Sequence, residues 1–162
     1  MTRIKYVLFF MIPVLLFAGC VQNYSPTIIP SNFTENVTNP YYKLTPGTTF
    51  VYLSMDGKER AEVYVSEETE VVMGVTTIVV WDRVWIDGAL AEDTLDYYAQ
   101  DNEGNVWYFG EDSMTVADGK ITGRPGSWIG GVDGAQPGII MEAHPKVGDS
   151  YRQEYYKGIA ED

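Results

Sequence analysis

Turn signals divide residues 41–162 of this chain into short segments, and this pattern restricts the fold more than any other feature of the sequence. Gly, Pro, Asn or Asp interrupts the chain every eight to twelve residues, and the runs between them are apolar or alternate between apolar and polar side chains. In "RAEVYVS", residues 60–66, one alanine and two valines fall on the same face of an extended strand. No stretch of useful length repeats with the 3.6-residue period of an amphipathic helix. The pattern predicts an all-β fold, an antiparallel curved sheet or incomplete barrel.

We expect strands over residues 49–55, 60–66, 71–73, 75–86, 94–100, 105–110, 114–116 and 120–122. Asp87-Gly88 and Asp118-Gly119 predict turns between such strands. The clearest hairpin joins 94–100 to 105–110 through a four-residue loop at 101–104. With that loop, Tyr97 lies opposite Tyr108 and Tyr98 lies opposite Trp107. Aromatic pairs across two strands help to fix the register of a hairpin.

The first nineteen residues have the three parts of a secretory signal peptide. Arg3 and Lys5 form a charged start, the apolar run extends from residue 7 to 18, and small residues precede Cys20. A run of about twelve apolar residues is shorter than the roughly twenty that cross a bilayer as a helix. The pattern predicts a cleaved signal peptide at 1–19 and an exported protein.

The end of this run, Leu16-Phe17-Ala18-Gly19-Cys20, resembles the lipobox of bacterial and archaeal lipoproteins. It matches at Ala18, Gly19 and Cys20 and departs at Phe17, where such signals usually have leucine. The resemblance implies lipidation of Cys20 and a protein anchored on the extracytoplasmic face of the cell membrane. In a Gram-negative host, Val21 after the cysteine implies the outer membrane. Because Cys20 is the chain's only cysteine, the domain has no internal disulfide.

Residues 20–40 are rich in Pro, Ser, Thr and Asn and show no regular period. This composition predicts a disordered tether between the lipidated cysteine and an extracytoplasmic β-domain at 41–162. Asn32 and Asn36 each begin a glycosylation triplet and are candidate modification sites in a host that glycosylates exported proteins.

The chain is strongly acidic, with a formal net charge of −12 that becomes −14 once Arg3 and Lys5 leave with the signal peptide. Such a surface repels phosphate, so no nucleic acid partner is expected. Solubility of an exported domain is the favoured reason for the acidity, and a cationic ligand is the alternative.

The side chains that most enzymes need are scarce. His144 is the only histidine and lies in a turn-like segment, which excludes a His-rich zinc site and a metalloprotease helix motif. No phosphate-binding glycine motif is present, and we predict no catalytic residue, no cofactor and no metal site. An acidic group, Glu92, Asp93 and Asp96, leaves adventitious calcium as a minor alternative. Paired carboxylates for glycoside hydrolysis stay open, because separation in sequence does not fix distance in space.

Residues 124–141 form a long segment with seven glycines or prolines. Long ordered loops often carry function. The favoured alternative is a flap that packs Trp128, Ile139 and Ile140 onto an open sheet.

The strand 75–86 places Trp81, Arg83 and Trp85 on one face. One interpretation has both indoles packed beneath the long loop, with Arg83 stacked between them and paired with a carboxylate. The other makes Trp81, Arg83 and Trp85 an exposed face that binds a small apolar or glycan ligand, since tryptophan offers a large rigid surface with one N–H donor.

The strings "NVWYFGEDS", "GAQPGIIM" and "KVGDSYRQEY" resemble an uncharacterised family of exported bacterial and archaeal proteins and lipoproteins. The resemblance covers residues 44–162 and implies no catalytic residue. Members of that family continue with further strands, which implies a chain truncated at its C-terminus. We therefore expect "YRQEYYKGI", residues 151–159, to be an edge strand open to pairing with another strand.

The leading expectation is a membrane-anchored extracytoplasmic lipoprotein that acts as a non-enzymatic binding or envelope module. One alternative is a hydrolase that acts on envelope glycans or esters, and another is a purely structural or assembly lipoprotein. An open aromatic-lined concavity would favour binding, two carboxylates facing each other in a cleft would favour hydrolysis, and a sealed core would favour the structural role.

Overall fold

A computed structural model describes residues 24–162 of the chain. The predicted signal peptide at 1–19 and the predicted lipidation site, Cys20, lie outside the described residues. The described chain is built from antiparallel β-strands with one short 3-10 turn at Pro30–Asn32, and it contains no α-helix. The predicted all-β, antiparallel curved sheet is confirmed, in the form of a curled half-barrel. Between residues 24 and 162, no helix has the length and hydrophobicity needed to cross a membrane.

Ten strands form the sheet in residues 24–162: β1 Phe33–Thr34, β2 Thr49–Leu53, β3 Glu59–Val72, β4 Val75–Ile86, β5 Ala89–Asp101, β6 Val106–Ala117, β7 Lys120–Gly123, β8 Trp128–Ile129, β9 Gln136–Met141 and β10 Glu154–Tyr155. Seven of them run side by side in the order β10-β9-β6-β5-β4-β3-β2. The short strand β1 pairs with β5, while β7 and β8 pair with β6. Strand β4 has the predicted bounds, whereas β3 joins two predicted strands across an irregularity between Val65 and Thr69.

The tight hairpin turns follow from their sequences. Asp87 and Gly88 have φ values of 50° and 80°, and Asp118 and Gly119 have 52° and 69°. Two successive residues with positive φ make the hairpin turn whose twist matches that of the flanking strands, and Asp-Gly is a favoured pair for it. The predicted turns at both Asp-Gly pairs are therefore confirmed.

The predicted register of the β5–β6 hairpin is wrong by one residue. Tyr98 lies opposite Tyr108, and Ala99 lies opposite Trp107, whereas Tyr97 lies opposite Gly110. The rings of Tyr98 and Tyr108 stack with centroids 4.9 Å apart and planes inclined by 20°. The aromatic cross-strand contact that was expected therefore exists, but between a different pair of tyrosines.

A side chain in the loop accounts for this shift. The N–H of Asp101 donates to the carbonyl oxygen of Asn105 at 2.9 Å, so the loop contains three residues rather than four. The carboxylate of Asp101 accepts hydrogen bonds from the backbone N–H groups of Glu103 and Asn105 and from Nε1 of Trp107 at 2.8 to 2.9 Å. A short acidic side chain that accepts hydrogen bonds from the backbone N–H groups of the residues after it stabilises a tight turn.

The two faces of the sheet each carry a hydrophobic cluster. The first face includes Val65, Ile78, Val80, Tyr98 and Tyr108, and the long segment 124–141 covers it with Trp128 and Ile140. The second face has a cluster that consists of Val72, Val75, Val79, Tyr97, Ala99 and Phe109. The flap interpretation is confirmed only in part. Trp128 is buried and Ile140 is partly buried on the first face, but they belong to β8 and β9, which pair with β6 and so extend the sheet. Ile139 lies elsewhere, beside Phe33 and Trp107.

The prediction of a disordered tether at 20–40 is wrong for residues 24–40. Phe33 and Thr34 pair with β5 at Asp101 and Gln100, and the ring of Phe33 meets Trp107 edge to face. Val37, further along, is buried in the cluster of the first face. These few apolar side chains are spaced irregularly because each fills a separate gap on the sheet, and a search for periodicity does not detect such packing.

Side-chain hydrogen bonds hold this aperiodic backbone in place. The backbone N–H groups of Thr38 and Asn39 both donate to Oε1 of Gln100 at 2.8 Å. Asn39 is buried, donates through Nδ2 to the carbonyl oxygens of Gly104 and Glu142, and accepts at Oδ1 from the N–H of the residues that follow it. The side-chain amides of Gln100 and Asn39 thus provide hydrogen-bond partners for backbone groups that have none in a β-ladder.

The expectation of a long open edge strand at 151–159 is also wrong. Strand β10 contains only Glu154–Tyr155 and pairs with β9. The chain then turns back, so that Tyr156 bridges to Ala160 and the N–H of Glu154 donates to the carbonyl oxygen of Asp162 at 3.2 Å. These contacts occupy backbone groups of β10 that an incoming strand would need.

Candidate functional site

Four carboxyl groups lie on the first face of the sheet in neighbouring strands, and we name them the acidic row: Asp82, Glu92, Asp96 and Glu111. The register places Asp96 of β5 directly opposite Glu111 of β6 and opposite Val80 of β4. Side chains on one face of a sheet alternate along each strand, which brings Asp82 and Glu92 to the same face. The sequence supplies these carboxyls at even positions of β4 and β5, but only the register reveals that they meet Glu111.

One tyrosine connects two members of the acidic row. The hydroxyl of Tyr108 lies 2.6 Å from Oδ1 of Asp96 and 3.1 Å from Oε2 of Glu111. A hydroxyl has one proton to donate, so it can bond both carboxyls only when one of them carries a proton. Burial raises the pKa of Asp96 to about 8, against the lowering effect of the hydrogen bond with Tyr108. Asp96 is therefore the carboxyl of this pair that favours the protonated state near neutral pH.

The acidic row has no cationic partner among the described residues. The four ion pairs found in residues 24–162 involve other carboxylates, and the pair nearest in sequence joins Arg83 to Asp93 at 3.1 Å on the second face. Burial, and then the charge of Glu92, raises the pKa of Asp82, whose Oδ1 is buried without a hydrogen-bond partner. Unpaired carboxyls in this environment favour the protonated state.

Strand β10 adds another buried acid beside this group. Burial, and then the charge of Glu111, raises the pKa of Glu154 to about 7. Trp128 meets the ring of Tyr108 edge to face at 5.4 Å. Close approach of the flap requires Gly110, because a Cβ at that position would lie 2.6 Å from the carbonyl oxygen of Trp128. Trp128 and Glu154 thus enclose one end of the acidic row.

At the side of the sheet formed by β2 and β3 lies an open hollow with a volume of about 540 Å³. We name it the aromatic hollow, because four rings contribute to its wall: Tyr41, Tyr42, Phe50 and Tyr52. Tyr41 and Tyr52 are 63% and 58% exposed, so the hollow is open to solvent. Val63 of β3 lines it beside Phe50.

The aromatic hollow adjoins the acidic row. The ring of Tyr42 contacts Tyr98 edge to face with centroids 5.6 Å apart. Burial, with a smaller contribution from the charges of Asp96 and Asp82, raises the pKa of Tyr42 to about 12. Sequence reasoning missed this hollow because Tyr41 and Tyr42 directly follow the stretch assigned to a tether, although the adjacent pair of tyrosines was a signal that could have been used.

The predicted ligand face on β4 is present as a row of side chains, but arginines cover its indoles. The guanidinium of Arg83 lies 4.5 Å from the ring centre of Trp81 and is paired with Asp93 at 3.1 Å. The ring of Trp85 is covered by Arg60 of β3 at 5.2 Å, not by Arg83. Arg60 in turn pairs with Glu62. The structure therefore brings Trp81, Arg83 and Trp85 together on the second face, with one side of each indole occupied.

The remaining sites predicted from the sequence are dispersed. Asn32 and Asn36 lie on either side of β1 and are exposed. His144 is exposed in the segment after β9. Within residues 24–162, no three histidine, cysteine or acidic side chains are grouped closely enough to hold a metal ion.

Comparison of the chain with protein-family models, with curated proteins and with solved structures found no match. The resemblance to exported lipoproteins therefore stays a prediction.

Proposed function

We propose that this protein is a membrane-anchored extracytoplasmic lipoprotein that binds a ligand with apolar portions in the aromatic hollow and catalyses no reaction. The observation that carries the proposal is the open hollow of about 540 Å³ with Tyr41, Tyr42, Phe50 and Tyr52 in its wall. The short apolar run that ends at Cys20 supports the anchor.

The size and lining of the aromatic hollow suit binding. Ligand sites in proteins have volumes of roughly 300 to 1,000 Å³ and are lined mainly by apolar and aromatic groups. Tyrosine provides a rigid apolar ring together with a polar hydroxyl, which fits an apolar ligand or the face of a sugar. Rings as exposed as Tyr41 and Tyr52 bury additional apolar surface only when a ligand covers them.

A second candidate function is hydrolysis, and the contact of Tyr108 with two carboxyls is the observation in its favour. Asp96 and Glu111 each bond the same hydroxyl, so the bonded oxygens are under 6 Å apart. Retaining glycosidases place their two carboxyls about 5 Å apart. Here, however, Asp96 is only 7% exposed and Tyr108 is buried beside Trp128. Only Glu111 of the pair lines a pocket, of about 330 Å³, so the two carboxyls do not face each other across it. We therefore rank hydrolysis below binding.

The test is saturable binding of neutral probes to the full chain held in detergent micelles. The probes are N-phenylnaphthylamine, whose fluorescence rises in apolar surroundings, and chitohexaose, followed by calorimetry. Tyr41→Ser and Tyr52→Ser should weaken binding of the preferred probe at least tenfold, which corresponds to about 1.4 kcal/mol. The matched control is Tyr64→Ser, which alters an exposed tyrosine on the second face. Equal affinity in all variants, or no saturable binding of either probe, would contradict the proposal.

A further inference from the structure

Strand β2 is the open edge of the sheet. It pairs with β3 on one side, and none of the residues 24–162 pairs with its other side. The opposite edge differs, because residues that follow β10 turn back and bond to it. An open edge presents a row of unpaired N–H and C=O groups to solvent.

The hydrogen bonds at both ends of β2 show which of its backbone groups are unpaired. The N–H of Val65 donates to the carbonyl oxygen of Thr48 at 2.9 Å, and the N–H of Ser54 donates to that of Glu59 at 3.0 Å. In an antiparallel pair, residues bond to the partner strand at alternate positions. The intervening residues therefore direct their N–H and C=O groups away from β3: Thr49, Val51 and Leu53.

The side chains of β2 do not protect this edge. The strand, "TFVYL", has no charged residue and no proline, and Val51 and Leu53 are 51% and 67% exposed. Proteins usually guard an open edge with lysine, proline or a bulge, since an apolar edge recruits other strands. The lack of such protection on β2 favours a role for this edge in pairing with another polypeptide chain.

The aromatic hollow lies beside this edge, on the side to which Phe50 and Tyr52 point. A strand added next to β2 would place every second side chain at the mouth of the hollow. Backbone pairing at a sheet edge combined with pockets for alternate side chains is a recurring mode of peptide recognition.

We propose that β2 and the aromatic hollow together bind an extended, basic polypeptide segment as an added strand. This inference rests on the proposed binding function and names its ligand class. The chain has a net charge of −12, and β3 carries five glutamates against one arginine, of which only Glu62 and Arg60 lie opposite β2, where they form an ion pair. These charges attract a basic segment and repel a second copy of the chain. Apolar side chains of the segment enter the hollow, and its basic side chains lie on the second face.

The test uses the full chain in detergent micelles and a dye-labelled, six-residue peptide with alternating valine and lysine and with blocked ends. Fluorescence anisotropy should show saturable binding. Two further peptides carry N-methyl groups on the lysines or on the valines. In an antiparallel ladder the lysine N–H groups face β2, so methylation of the lysines should weaken binding at least tenfold and methylation of the valines less than twofold. Equal effects of the two methylation patterns would overturn the proposal.

A variant of β2 provides the complementary measurement. Val51→Pro removes an outward N–H without breaking a bond to β3, and it should weaken peptide binding at least tenfold. Val51→Thr keeps the N–H and the branched shape, and it should bind as the wild type does. The methylated peptides test the unmodified chain and so do not depend on the folding of either variant.

The outcomes separate this inference from the proposed function. If N-phenylnaphthylamine occupies the hollow while the unmethylated peptide does not bind, the strand inference fails and the binding function stands. If N-phenylnaphthylamine, chitohexaose and the peptide all fail to bind, both the inference and the proposed function fail. Self-association in analytical ultracentrifugation that disappears in Val51→Pro would identify a second copy as the occupant and would overturn the basic segment.

Discussion

The hydroxyl of Tyr108 lies 2.6 Å from Oδ1 of Asp96, inside the sheet, and also reaches Glu111 at 3.1 Å. No cation balances these groups within residues 24–162. The arrangement is stable because Asp96 retains a proton, and this proton connects the stability of the fold to pH.

The stability of the domain should fall as the pH rises from about 4 to about 8. The unfolded chain releases the proton of Asp96 near the ordinary pKa of 3.8, whereas the folded chain keeps it up to about pH 8. The folded state thus binds more protons than the unfolded state across this interval. For each additional bound proton, the free energy of unfolding falls by at most about 1.4 kcal/mol per unit rise in pH. Glu154 adds to the slope between its ordinary pKa of 4.5 and about 7.

Urea unfolding at pH 4.5 and pH 8 checks this prediction. Asp96→Asn should lose part of the slope and should gain stability relative to the wild type at pH 8. Glu67→Gln, which alters an exposed glutamate of β3, is the control and should keep the wild-type slope. A wild-type slope in Asp96→Asn would show that Asp96 is ionised in the folded state.

Gly110→Ala should destabilise the domain and loosen the flap. The φ angle of Gly110 is 149°, and an added Cβ would lie 2.6 Å from the carbonyl oxygen of Trp128. We expect a loss of about 2 kcal/mol or more and a red shift in tryptophan emission. Gly47→Ala is the matched control, because it has a φ of 82° but open space around the added atom. Equal losses in the two variants would mean that backbone strain alone, without the contact to the flap, explains the effect.

Arg83→Ala should uncover the indole of Trp81. The guanidinium lies 4.5 Å from the centre of this ring, and a contact of that kind contributes about 0.5 to 1 kcal/mol at a partly exposed site. Acrylamide quenching of Trp81 should rise, as measured in a background in which the other tryptophans are replaced by phenylalanine. Arg124→Ala, which removes an arginine paired with Asp112, is the control. Unchanged quenching in Arg83→Ala would place the indole beneath other side chains.

Cys20→Ser should abolish attachment to the membrane through a lipid. Sulfur is the nucleophile that accepts the lipid, and serine cannot replace it, so we expect an uncleaved precursor or a released product in place of the anchored form. Membrane fractionation and the mass of the mature protein provide the measurement. A processed Cys20→Ser protein that still partitions with the membrane at unchanged mass would refute the lipid anchor.

The sequence predicted the features that local rules determine. Both Asp-Gly turns and the bounds of β4 came from turn chemistry and from the pattern of apolar residues. The register of the β5–β6 hairpin was not predicted correctly. The carboxylate of Asp101 accepts hydrogen bonds from backbone N–H groups of the loop and so shortens it, and the number of residues in the loop does not reveal this effect. A shift of one residue changes every facing pair, so the stacked tyrosines were misassigned.

The candidate sites were harder to predict, because they depend on contacts between distant segments. The three residues predicted as a ligand face do share a face, but the guanidinium that covers Trp85 comes from Arg60, on another strand. The acidic row and the aromatic hollow each combine residues from several strands or from the segment that precedes them. Nothing in the local sequence shows that Tyr42 reaches Tyr98.

The packed segment 24–40 also determines how a lipid-anchored domain would be oriented on a bilayer. The hydroxyl of Tyr24 donates to the carbonyl oxygen of Pro137 in β9 at 2.9 Å, and Arg152 stacks on the same ring. Tyr24 lies four positions after Cys20, and an extended chain joins their Cα atoms over no more than about 14 Å. With Cys20 lipidated as proposed, the backbone of Tyr24 would be held within that distance of Cys20, and the β9–β10 side of the sheet would lie close to the headgroups. Rotation of the domain about its anchor would be restricted, and the same side would face the lipid in every copy.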